Sequence, residues 1–204
     1  MVVSGDSIRV RTVRPSGHGG NMGASYLIRV PRRTALERIE SSNGRIQVTG
    51  IEGAARLETS NGSIEANALS GALTARTSNG SVRVGRVLGE LNIDTSNGSI
   101  RASAGKLERP VTLHTSNGSI ELSVEALGGS GVNVSTSNAS ITLRLPSSAA
   151  ASLTASTSNG SITNQFESEF RGRSGKNHLD GTIGAGGPRI RLDTSNGSIR
   201  LLRL

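Results

Sequence analysis

The chain has 204 residues and a formal net charge of +8, with no Cys, no Trp, one Tyr and two Phe. Without Cys there is no disulfide framework and no thiolate metal site. With so few rings there is little to stack on bases, and the basic residues never run five in a row, so no specific nucleic-acid binding is expected. The charge does permit contact with an acidic polymer or an envelope component. The apolar residues are Val, Ile, Leu and Ala interleaved with Ser, Thr, Asn and Gly, which suits thin sheets better than a thick globular core. No stretch approaches the roughly 18 apolar residues of a transmembrane helix.

Taken in chain order, "SGDSIRV" (4–10) reads as a degenerate coil with Ile8 and Val10 in core places. No secretory signal is visible ahead of it. Residues 14–24, "RPSGHGGNMGA", are Gly-rich and polar and are expected to form a flexible loop. From there a repeat takes over. The hexapeptide "TSNGSI" stands at 95–100, 115–120 and 194–199, and variants of it stand at five other places. Its Asn falls at Asn43, Asn61, Asn79, Asn97, Asn117, Asn138, Asn159 and Asn196, at spacings of 18, 18, 18, 20, 21, 21 and 37. A fixed period of this length is a solenoid signature.

Apolar residues keep fixed places around each Asn. Three residues after it come Ile46, Ile64, Val82, Ile100, Ile120, Ile141, Ile162 and Ile199, and four before it come Ile39, Leu57, Ala75, Ile93, Leu113, Val134, Ala155 and Leu192. Apolar places two apart on each side of the motif are strand period. Each unit therefore reads as strand, tight "SNG" turn, strand and second turn. One such coil cannot bury its apolar face alone, but stacked coils pair in parallel and share a core. Gly in the motif is expected to supply a positive φ. The eight Asn are expected to bond one another as a structural ladder along the corner, and the inward Thr two residues earlier needs a partner for its hydroxyl. In "TSNASI", Ala139 is expected either to change the turn or to take a costly backbone conformation.

Residues 163–189 fill the long last interval. "FESEFRGRSGKNHL" (166–179) is expected to project as a hairpin or loop, presenting Phe166, Phe170, Arg171, Arg173, Lys176 and His178. "GTIGAGGPRI" (181–190) then returns to the rod, and "SIRLLRL" at the end lacks an evident cap, so end-to-end association is an alternative to a monomer.

Catalysis is not expected. The outward column three before each Asn stacks Arg76, Asp94 and His114 on successive coils, which reads as a solvated charge row rather than an acid/base pair. The three His, at 18, 114 and 178, lack ligand spacing, and neither a metal nor a cofactor is expected.

The T-x-N-G-x-I/V repeat, "SYLIRVPRRTALERIESSNGRI" (25–46) and "GTIGAGGPRIRLDTSNGSIRL" (181–201) together resemble the bacterial adhesin-type repeat family, a domain of unknown function. The resemblance covers essentially the whole chain. It implies a β-solenoid that is exported or associated with the cell envelope, and it carries over no catalytic residues. The expectation is thus a single domain, 1–204, all-β: a parallel β-solenoid (single-stranded β-helix) of 18–21-residue coils, with a non-catalytic, adhesin-like binding role at the cell surface. A self-assembling rod is the alternative, and a polysaccharide-active enzyme the more remote one.

Overall fold

The computed structural model describes residues 2–4, 7–12 and 23–204. The chain divides into two units, Met1–Val30 and Pro31–Leu204, where a single 1–204 domain was expected. Most of the expected loop, residues 14–22, lies outside the described residues. In the first unit, β1 (Val2–Ser4) and β2 (Ser7–Arg9) form an antiparallel pair rather than a solenoid coil. Ile8 is 62% exposed and Val10 is also exposed, so neither occupies the core place expected of it.

The second unit is built from strands and turns. The strands before the turns are β3 (Leu36–Ser41), β5 (Ala55–Thr59), β7 (Leu73–Thr77), β9 (Leu91–Thr95), β11 (Val111–Thr115), β13 (Val132–Thr136), β15 (Ala151–Thr157) and β19 (Arg189–Thr194). Those after the turns are β4 (Ile46–Thr49), β6 (Ile64–Leu69), β8 (Val82–Val87), β10 (Ile100–Leu107), β12 (Ile120–Leu127), β14 (Ile141–Leu145), β16 (Ile162–Asn164) and β20 (Ile199–Arg203). Each "SNG" turn joins a strand of one sheet to a strand of the other. Stacked coils pair in parallel and in register, for example Leu57↔Ala75↔Ile93 and Ile64↔Val82↔Ile100. The expected parallel β-solenoid is the fold of this unit. Its core is the inward set of both sheets, and the apolar columns read from the sequence are buried from Ile46 onward, except Ile162, which is half-buried.

The order of the coils departs from the order of the chain at one end. The first sheet runs β3-β5-β7-β9-β11-β13-β19-β15 and ends in β18 (His178–Ile183) and β17 (Phe170–Ser174), and the second runs β4-β6-β8-β10-β12-β14-β20-β16. The last coil in sequence, around Asn196, therefore lies between the coils of Asn138 and Asn159. β20 pairs in parallel with β14 on one side and β16 on the other, so the C-terminal strand is internal and not the bare edge expected.

The segment expected to project is instead part of the sheet. β17 (Phe170–Ser174) and β18 (His178–Ile183) form an antiparallel hairpin, and β18 pairs antiparallel with β15, closing that end of the first sheet. Phe166, Leu179 and Ile183 are buried beneath it. Phe166 sits at 0% exposure with the Arg203 guanidinium 4.9 Å from its ring centroid, so it plugs the core and cannot be a presented residue.

Candidate functional site

The corner is the most repeated feature of the molecule, and three residue types build it. Asn forms a head-to-tail ladder on the outside. Each Nδ2 donates to an Oδ1 on the neighbouring coil: Asn61 to Asn43, Asn79 to Asn61, Asn97 to Asn79, Asn117 to Asn97, Asn138 to Asn117, Asn196 to Asn138 and Asn159 to Asn196, all at 2.7–2.8 Å. The ladder follows the spatial order of the coils and passes through Asn196 before Asn159. Thr forms a second ladder on the inside. Thr59, Thr77, Thr95, Thr115, Thr136, Thr157 and Thr194 are all buried. The Thr115 hydroxyl donates to Gly98 O at 3.0 Å on the preceding coil and accepts from Gly118 N at 3.2 Å in its own turn. A single buried hydroxyl thus satisfies two backbone groups that would otherwise be stranded away from water.

Gly is required for a reason other than the expected one. None of the motif glycines has a positive φ; among the described residues the glycines that do are Gly50, Gly172, Gly184, Gly186 and Gly187. A Cβ at Gly98 would instead lie 1.8 Å from Gly80 O, and one at Gly118 would lie 1.9 Å from Gly98 O. At these glycine corners the coils approach too closely for a side chain, and only the turn of Ala139 makes room for a methyl. Ala139 does not adopt a left-handed conformation either, since among the described residues the non-glycine positions with positive φ are Ala68 and Arg86. Its carbonyl accepts from Thr194 Oγ1 at 2.9 Å, so it still serves the coil stacked on it.

The outer faces carry charge that is largely paired. Arg56 donates to Glu58 at 2.9 Å, and Arg101 and Arg144 both reach Glu121, at 3.0 and 3.4 Å. The Arg56 hydrogen bond holds the Glu58 carboxyl below its ordinary range, and the Arg101 bond followed by the Arg144 bond does the same for Glu121. Arg76, Asp94 and His114 do stack on successive coils. However, Arg76 turns to Glu58 at 3.8 Å, and His114 Nδ1 bonds Ser135 Oγ at 2.9 Å. The stack is therefore a polar row on an open face, with its histidine held by a hydroxyl.

On the capping hairpin, Arg171, Arg173, Lys176 and His178 are exposed and Phe170 is half-buried. Among the described residues, none of these three cations joins an ion pair, in contrast to Arg203, which reaches Glu169 at 2.7 Å. Glu169 is held below its ordinary range by the Ser168 hydroxyl and then by Arg203. The structure thus brings four of the six residues expected on the presented surface to solvent together, while Phe166 is separated into the core.

One feature went unread in the sequence. Gly50, Ala68 and Arg86 stand 18 residues apart with φ of 73°, 55° and 53°, forming a left-handed column at the end of three successive strands. The column ends at the coil of Asn97, where the β8–β10 register shifts between Ala102 and Ala104. An open groove of about 450 Å³ runs past it, lined by Arg32, Glu52, Arg86 and the exposed Leu88 among others. Gly50 alone signals a turn there, and Ala and Arg at the equivalent places conceal it.

The family model of Toastrack DUF4097, a domain of unknown function, matches residues 37–143, which is more than half of the chain. The chain belongs to that family. No curated protein and no solved structure gives a match. The Toastrack match covers the coils from Asn43 to Asn138 and ends before the coils whose spatial order is exchanged. Among the described residues no helix is long and apolar enough to cross a membrane, and no group of three or more His, Cys, Asp or Glu is placed to hold a metal.

Proposed function

We propose that this Toastrack solenoid is a non-catalytic binding scaffold of the cell envelope, and that it engages acidic polymer by charge through its capping hairpin. The supporting observation is the contrast between paired and unpaired cations. Arg56, Arg101, Arg144 and Arg191 on the broad faces lie against carboxylates of the same or a neighbouring coil, whereas Arg171, Arg173 and Lys176 are exposed together on one strand and its turn and, among the described residues, join no ion pair. An unpaired cluster at the end of a stiff rod is a local source of positive potential. Export follows from the same reading, since an envelope polymer lies outside the cytoplasm.

Charged residues on an edge strand also guard against unwanted strand pairing, and one experiment separates the two roles. Arg171→Ser, Arg173→Ser and Lys176→Ser are combined, and binding to an acidic polysaccharide such as alginate is followed by calorimetry. The proposal expects wild-type binding that weakens steeply as salt rises from about 0.05 to about 0.5 M, and little binding by the variant. Salt-insensitive binding, or a variant that binds as well as wild type, would overturn it.

A further inference from the structure

We infer that residues 188–204 form an exchangeable coil, and that the slot they fill accepts the same coil from a second copy of this chain. Four observations carry this.

The first is topological. The coil of Asn196 is last in sequence but internal in space, with β13 and β14 on one side and β15 and β16 on the other. The coils of Asn138 and Asn159 are joined through the short link at residues 146–150 and must already be spaced two strands apart to receive it. Stacked strands lie about 4.8 Å apart, so the slot is about 9.6 Å wide before it is filled.

The second is what the slot offers. Both of its walls are strand edges whose backbone groups are satisfied only by the incoming coil. Ile141 N donates to Ser198 O, Ile199 N to Ser161 O, Asn159 N to Ser195 O, and Leu204 N to Leu145 O, at 2.8–3.0 Å. The side-chain ladders also close only through this coil, by Asn196 to Asn138, Asn159 to Asn196, Thr194 to Ala139 O and Thr157 to Gly197 O. An empty slot is therefore a two-sided acceptor for one β-coil, a doubled form of strand addition.

The third is the tether. To reach β19 from β18 the chain must cross β15, which lies between them in the sheet. It crosses through Gly184, Ala185, Gly186 and Gly187, with φ of 59°, 78° and 156° at the three glycines. A Cβ at Gly187 would stand 2.8 Å from Ala150 O. A Gly-rich strap of this kind can also open and extend, which is how a terminal element comes to be exchanged between copies.

The fourth is sequence identity. The partner coil "TSNGSIRL" is the natural ligand of the slot, so a second copy satisfies every contact without new chemistry. The resulting assembly is a reciprocal dimer, closed because each chain both gives and receives one coil.

Thr142 and Arg200 are facing partners on β14 and β20, both on the outer side of the sheet. The chain has no Cys of its own, so each can be replaced cleanly. Chains carrying Thr142→Cys are mixed with chains carrying Arg200→Cys, unfolded together, refolded at low or high concentration and oxidised. The expected result is a disulfide-linked heterodimer whose share rises with concentration during refolding, and which does not form when the two are mixed already folded. A chain carrying both substitutions should close the bond within itself at low concentration. Absence of heterodimer at every concentration would overturn the inference, as would failure of the double variant to close its own bond. Wild-type protein provides a second readout by light scattering: refolding at high concentration should leave a dimer fraction that persists on dilution, and a purely monomeric product would contradict the inference.

Discussion

From the coil of Asn43 to that of Asn138, the next coil in sequence is the next coil in space. Beyond Asn138 that rule fails, and the coil of Asn196 sits ahead of the coil of Asn159. Yet the two regions are locally alike. Ile141, Ile199 and Ile162 align across the exchanged coils as Ile64, Val82 and Ile100 align across the regular ones. The coil-to-coil bonds of both corner ladders continue across the exchange, by Asn196 to Asn138, Asn159 to Asn196, Thr194 to Ala139 O and Thr157 to Gly197 O. A repeat that makes each coil fit its neighbour makes every coil fit every other, so pairing chemistry alone does not decide which coil goes where. The antiparallel hairpin of β17 and β18 and the glycine strap behind it decide the order here, because they carry the chain past β15 and turn it back.

Removal of whole coils should separate the two regions most sharply. Deleting residues 61–78 takes out one complete period and rejoins Ser60 to Asn79, recreating "TSNGSV". The expected product is a shorter solenoid that still unfolds cooperatively, as solenoid stability is roughly a sum over coils and their interfaces. Deleting residues 189–204 leaves two facing edges unpaired inside the stack, and loss of cooperative unfolding with aggregation is expected by circular dichroism and light scattering. Equal behaviour of the two deletions would contradict the distinction.

Single substitutions at the corner should rank by how closely the coils approach. Gly98→Ala sets a methyl against Gly80 O and should destabilise by about 2–3 kcal/mol in chemical denaturation, at the upper end of overpacking costs. The reverse change at Ala139, next to the exchanged coil, should cost far less, since that turn already accommodates a methyl. Thr115→Val keeps the shape but strands Gly98 O and Gly118 N, for a loss of about 2 kcal/mol. Asn97→Ala removes an exposed rung, for about 1 kcal/mol, and Asn43→Ala, with one neighbour in the ladder, should cost less still. Were Asn97 to cost more than Thr115, the outer ladder rather than the inner one would hold the corner.

The smallest effect is that of pH. Arg101 and Arg144 depress the Glu121 carboxyl in the folded state. A group with a depressed folded value adds stability above its unfolded pKa, about 4.3, and that stability is lost as pH falls through the folded value. The pair is partly solvated, so the contribution is small. Denaturation midpoints should fall slightly below about pH 4, and Glu121→Gln should flatten that part of the curve.

The columns from Ile39 to Leu192 and the Asn ladder were legible because strand period and coil period repeat together, and each copy reinforces the rest. The exchange of coils was not legible, because the interval of 37 residues between Asn159 and Asn196 spans about two periods whichever way the chain turns. Phe166 misled for a related reason. Aromatic residues are so scarce here that a lone ring in an irregular segment looks like a contact residue, whereas it closes the end of the core that no further coil covers. The role of the motif Gly was hidden as well, since composition cannot distinguish a residue needed for positive φ from one needed for close approach. Arg171, Arg173, Lys176 and His178 stand out in the sequence because they interrupt the repeat, and all four are exposed on the hairpin.

The spatial order of the coils is tested most directly by paired cysteines on the outer face of the first sheet. Ser135 faces Asp193 on the neighbouring strand, and Ser156 lies one strand further on. A disulfide needs Cα atoms about 4.4–6.8 Å apart, which adjacent strands satisfy and next-but-one strands, at about 9.6 Å, do not. Monomeric protein carrying Ser135→Cys with Asp193→Cys should therefore oxidise readily to an internal disulfide, and protein carrying Ser135→Cys with Ser156→Cys should not. The opposite outcome would place the coils of Asn138 and Asn159 side by side and contradict the inserted C-terminal coil.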